Sequence, residues 1–312
     1  MFSFFKRKDN NLEVPEWASF FNKTEYSEFI AAIEKYFYKK NVTYTIEDGA
    51  LATGANDFGF GVLGLLNLAQ NCKQNKPGNY KNIVAAHFDS MIRIYTQDKE
   101  FADIIGDFEK VKQYIAVRLY ADDYIAHIGR ENTVGKGLAD GLYATLVFDQ
   151  PESVATIKPD QADKWGKTYA ELLDLGTQNI KNKYENYISK ELFDDFELWV
   201  VTGEHFFTPN ILLNMQDHPQ LTGTYGSLVG VPHRHAVIMY PIESIEVVKV
   251  ITNLIPTISG MYREGPGSLS PGLFWYKNGL LENLPYDIVD NTIQFKPTEN
   301  FLEMLNSLGS EE

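Results

Sequence analysis

The chain has 312 residues, with 42 acidic side chains against 28 basic ones, a formal charge of −14 and a pI near 4.9. That balance repels nucleic-acid phosphates and anionic membranes, and no dense Lys/Arg stripe offsets it. The 20 Phe and 18 Tyr supply a large core and exclude wholesale disorder, while a single cysteine, Cys72, excludes an intrachain disulfide and cysteine-based zinc sites.

At the start, Phe2, Phe4 and Phe5 precede Lys6, Arg7 and Lys8, the reverse of the charge-then-apolar order of a secretory leader. Residues 1–12 read as a flexible tail, and the cytoplasm is the expected location. Residues 24–40 predict a helix, since Tyr26, Phe29, Ile30, Ile33 and Phe37 recur at three- and four-residue spacing, with Thr24 as its cap. Two short strands follow at 42–46 and 49–53, then helices at 61–72 and 79–95. Residues 114–120 alternate as a strand. Residues 142–148 and 153–157 form a hairpin, followed by a helix pair whose second member opens on Thr168-x-x-Glu171 and runs to about 188.

The last third predicts a strand at 196–201 and a short helix at 209–215. A hairpin of 227–231 and 236–240 turns on Pro232-His233-Arg234-His235, and a largely apolar helix covers 242–255. Asn278-Gly279 between apolar runs predicts another hairpin, ahead of a strand at 292–295 and a final helix. The fold class is therefore α+β, with antiparallel-rich sheets and packed helices. Hairpin-then-helix near 142–188 and again near 226–255 predicts two similar ββα lobes, 13–190 and 191–312, closely packed or merged in one domain.

Chemistry-bearing motifs are few. Gly59-Phe60-Gly61-Val62-Leu63-Gly64 has dinucleotide-binding spacing, but a second helix follows where a strand is needed, so tight packing is the better reading. Glu204-His205 after one strand and His233 with His235 beside another could place imidazoles and a carboxylate around a divalent metal. The Gly/Pro-rich loop 262–272 adjoins an aromatic strand, which makes Tyr262, Arg263, Ser268 and Trp275 candidate binding residues beneath a lid. That loop lacks a P-loop lysine, and Ser268 lacks the flanks of a nucleophile elbow. Asp122-Asp123 and Asp194-Asp195 read as solvated pairs rather than calcium loops.

Three stretches taken together carry a family likeness: residues 64–70 (Gly-Leu-Leu-Asn-Leu-Ala-Gln), residues 139–149 from Ala139-Asp140-Gly141-Leu142 to Asp149, and Leu228-Val229-Gly230-Val231-Pro232-His233 with Ser270-Pro271 downstream. With the helix after Trp165, the chain resembles the YtpQ-like bacterial proteins of unknown function over roughly residues 55 to 285. The resemblance implies a cytoplasmic bacterial α/β protein and carries no catalytic residues. With no coherent catalytic set in the sequence, the expected function is a non-enzymatic binding or regulatory module with a protein partner, and a homo-oligomer is compatible with it. The alternatives are a metal-dependent hydrolase or oxygenase on the His/Glu cluster, and a small-molecule or peptide binder with the 262–272 loop as its lid.

Overall fold

The computed structural model describes residues 13–53, 61–151, 153–193, 195–290 and 292–309, with backbone alone for 96–100. The expected tail, Gly59-Phe60 and Asp194 lie outside them. The chain divides into two compact units, residues 1–99 and 100–312.

In the first unit, α1 (Lys23–Lys40) buries Tyr26, Phe29, Ile33 and Phe37. Its cap is Asn22 rather than Thr24. The Asn22 side chain accepts from the Glu25 N–H, and the Glu25 carboxylate accepts from the Asn22 N–H, both at 2.9 Å. Strands β1 (Tyr44–Glu47), β2 (Ala50–Thr53) and β3 (Val62–Gly64) form an antiparallel sheet. The glycine motif thus continues as a strand, and α2 (Leu66–Lys73) starts five residues later than the spacing suggested. Helix α3 (Tyr80–Ala102) adds Tyr80, Val84 and Phe88 to a core that includes Cys72, whose thiol burial pushes up to about 12.

The second unit opens with α4 (Phe108–Val111), β4 (Ile115–Ala121), α5 (Asp122–Ile128), β5 (Gly135–Ala139), β6 (Leu142–Asp149) and β7 (Val154–Thr156). Strand β6 lies between β4 and β5, also pairs with β7, and is buried along its whole length. After α6 (Pro159–Ala162), α7 (Tyr169–Lys183) starts on the predicted Thr168/Glu171 box. Gly176 lets it settle on the sheet, since a Cβ there would sit 2.8 Å from the Ala116 carbonyl carbon. Helix α7 stops before the predicted 188, because Tyr187 and Ile188 are taken into β8 (Tyr187–Phe193), which pairs along its length with β9 (Phe196–Thr202).

Next come β10 (Ser227–His233), β11 (Ala236–Pro241), α8 (Val247–Glu264), β12 (Leu273–Lys277) and β13 (Leu280–Leu284). The hairpin β14 (Tyr286–Val289) and β15 (Thr292–Phe295) and then α9 (Glu299–Leu308) complete the unit. A six-stranded antiparallel sheet runs in the order β13-β12-β10-β11-β9-β8. One face packs Val229, Val231, Val237 and Phe274 against Val117, Leu146 and Phe148 of the β4–β6 sheet. The other packs Leu228, Ile238 and Trp275 against Val250, Leu254 and Ile258 of α8 and Phe301 of α9. The lobe boundary expected at 190 falls inside β8, and the hairpin-then-helix regions near 142–188 and 226–255 lie together in residues 100–312. Among the described residues no helix is long and apolar enough to cross a membrane.

Candidate functional site

Strand alternation sends Ile115, Val117 and Leu119 into the core between the sheets and leaves Arg118 and Tyr120 on the opposite face of β4. Two other segments meet this face: the turn between β10 and β11, which carries Arg234, and the loop after β9, which carries His205 and Phe206. The Arg234 guanidinium lies 4.0 Å from the centre of the Phe206 ring, and that of Arg118 lies 5.5 Å from the same ring. Arg118 also sits 4.7 Å from the Tyr120 ring. Tyr120 stacks on Tyr124 with ring centres 5.1 Å apart. One partly exposed phenyl ring is thus shared by two half-buried cations. Each such contact contributes about 0.5–2 kcal/mol.

The charges in this cluster are uncompensated. Burial, and then the like charge of Arg118, bring the Arg234 guanidinium down to about 10. The Arg118 Nε is buried and has no hydrogen-bond partner among the described residues. The described ion pairs of this unit engage Lys110, Lys112, Arg130, Lys181, Lys183, Lys190 and Lys296, and neither Arg118 nor Arg234 is in one. In a chain of net charge −14, two adjacent arginines without a carboxylate are a local inversion of the overall field.

Three of the four predicted metal ligands do come together here, but five of their six ring nitrogens are engaged. His205 accepts the Phe207 N–H on Nδ1 at 3.2 Å, so its Nε2–H donates to the Glu185 carbonyl at 3.1 Å. His235 accepts from the Arg234 Nε–H on its Nε2 at 3.2 Å and donates through Nδ1–H to the Gly203 carbonyl at 3.1 Å. His233 accepts the His235 N–H on Nδ1 at 3.2 Å, and its ring lies against Gly265, where a Cβ would be 2.2 Å away. Glu204 is exposed on its loop. Among the described residues no group of three or more His, Cys, Asp or Glu side chains is placed to hold a metal. Of the expected Glu204, His205, His233, His235 set, the three histidines brace backbone and Glu204 stands apart from them. Burial keeps all three imidazoles below their ordinary range, His233 at about 4 with the charges of His235 and Arg234 adding to the effect.

The predicted binding loop backs this cluster instead of closing over a pocket. The Ser268 hydroxyl donates to the Tyr262 carbonyl at 2.7 Å, and Leu269 and Ser270 donate to the Pro232 and Val231 carbonyls at 2.9 and 3.1 Å. Arg234 donates its own N–H to the Gly267 carbonyl at 3.0 Å. Gly267 has φ +73°, and a Cβ there would fall 2.5 Å from the Arg234 Cδ, so the loop backbone is the wall that Arg234 lies on. Tyr262 and Arg263 belong to the last turn of α8. Trp275 is not brought to this site: it is 5% exposed, donates to the Tyr225 carbonyl and meets Phe301 edge-on in the core.

Sequence reasoning missed Arg118, Phe206 and Arg234 as a unit. The available signal was a mid-strand arginine inside an otherwise apolar alternation, but Arg118 and Arg234 are too far apart in the chain for their pairing to show. No protein-family model, curated protein or solved structure matches the chain.

Proposed function

We propose that residues 100–312 form a non-enzymatic binding module that recognises a phosphoryl group on its ligand through Arg118 and Arg234. The observation that carries this is the pair of half-buried guanidiniums on one Phe206 ring with no carboxylate answering either. Guanidinium forks match the geometry of phosphoryl oxygens, and two of them balance the charge of a phosphate dianion. The neighbouring imidazoles are neutral and fastened to backbone, so they position the arginines and supply no proton at neutral pH.

Calorimetric titration of the full chain with inorganic pyrophosphate at pH 7.5 tests the reading. Saturable binding that weakens with added salt is expected. Arg118→Met and Arg234→Met should each weaken it by at least about tenfold. Both variants should stay folded and change in stability by no more than about 1 kcal/mol, because relief of the like-charge repulsion offsets the lost ring contacts. No saturable binding, or an unchanged affinity in both variants, overturns the proposal.

A further inference from the structure

The arginine pair has an aromatic neighbour that a bare phosphoryl group leaves unused. The Arg118 guanidinium lies over the Tyr120 ring at 4.7 Å. Tyr124, in the first turn of α5, stacks on Tyr120 with ring centres 5.1 Å apart and planes within 13° of parallel. That stack covers one face of Tyr124, yet the residue is 46% exposed, so its other face is turned to solvent. Phe206, the ring the two arginines share, is 38% exposed. Single exposed rings are ordinary on a protein surface, whereas two joined through one unanswered guanidinium mark a place where something docks. Of the two carboxylates that open α5, Asp122 is paired with Arg130 at 2.8 Å and Asp123 accepts the Tyr124 N–H at 2.7 Å. Neither is in an ion pair with Arg118 or Arg234.

An open tyrosine face beside a cationic pair is the arrangement that takes a planar ring and a phosphoryl group from the same molecule, since a ring stacked there extends the Tyr120–Tyr124 column. The spacing says how far apart the two must be. Tyr124 joins the cluster through Tyr120, one ring spacing beyond the contact with Arg118, so the ligand's ring stands away from its phosphoryl group. A phosphorylated tyrosine carries the phosphoryl group directly on its ring and is too short for that gap. A nucleoside diphosphate has a ribose and one phosphoryl group between its base and its terminal phosphoryl group. We infer that the ligand of Arg118 and Arg234 is a nucleoside diphosphate, its base stacked on Tyr124 and its terminal phosphoryl group on the two guanidiniums. This inference rests on the phosphoryl reading above and supplies the organic half of the ligand.

The test is calorimetric titration of the full chain with ADP, with pyrophosphate and adenosine run in parallel. ADP should bind at least about tenfold more tightly than either, because one stacked base contributes roughly five- to a hundredfold in affinity. Tyr124→Ala should bring the advantage of ADP over pyrophosphate below about threefold, and Tyr124→Phe, which keeps the ring, should restore it. Tyr124 is exposed, so both variants should stay folded. ADP binding no tighter than pyrophosphate, or an advantage that survives in Tyr124→Ala, overturns this inference and leaves the phosphoryl reading standing. No binding of either phosphate compound, or an ADP affinity indifferent to both Arg118→Met and Arg234→Met, overturns the two together.

Discussion

Two cationic centres of residues 100–312 are built in opposite ways. At the first, Lys183 is paired with Asp149, a carboxylate only 5% exposed, which also accepts the Tyr184 hydroxyl at 2.9 Å. Burial pulls the Lys183 ammonium down, but the bond and charge of Asp149 outweigh it, and burial together with the same carboxylate raises the Tyr184 phenol. At the second, Arg118 and Arg234 face each other across Phe206, and burial with the charge of Arg118 lowers Arg234 while Tyr120 offsets this only in part. A compensated centre adds to stability, whereas an uncompensated one is a cost to the fold that a ligand can recover. The difference gives Asp149 structural work and underlies the proposal that the arginines bind a ligand.

The largest expected effect is at the compensated centre. Asp149→Ala should lose about 2–3 kcal/mol in urea denaturation, toward the low end for a broken buried pair, because Lys183 can turn to solvent. A loss near zero would erase the contrast between the two centres. Next is Gly267→Ala, at the wall behind Arg234. The left-handed φ and the collision with the Arg234 side chain should together cost about 1–2 kcal/mol. The same change should weaken pyrophosphate binding; full affinity with lost stability would show that Arg234 tolerates displacement.

A third effect is a pH slope. His233 has its ordinary 6.5 lowered to about 4, chiefly by burial. Between these values the unfolded chain takes up a proton that the folded chain refuses. Stability present above 6.5 is therefore lost as the pH falls toward 4. A melting temperature that declines across that window, and declines less in His233→Gln, is the expected result. Saturating pyrophosphate should flatten the slope too, by placing negative charge beside the imidazole. A slope identical in wild type and variant would place its origin in other groups.

Local signals in the sequence were legible wherever neighbouring residues decide the outcome. Asn278 and Gly279 take positive φ of 51° and 82° in the predicted hairpin, and the Thr168/Glu171 box caps α7 as read. Local signals failed where distant partners decide. The apolar helix was expected over 242–255, but α8 runs through Pro256 to Glu264, where Ile258 packs onto the sheet at Gly230. The first two residues of β8, Tyr187 and Ile188, were read as the tail of a helix because their strand identity depends on pairing with β9. The site was the least legible part. His233 and His235 drew attention as metal ligands because their spacing is conspicuous, whereas Arg118 became meaningful only when the fold set it beside Phe206.

Strand β6 has a further consequence, for how the chain is born. Eight consecutive buried residues, Leu142 to Asp149, are the kind of segment that sticks to other chains if it waits uncovered. On a ribosome β4 and β5 are made first, so β6 emerges with both flanking strands already present, and β7 follows within a few residues. Synthesis order itself shields the most vulnerable stretch. A circular permutation that delivered β6 ahead of β4 would remove that shelter while leaving every final contact in place.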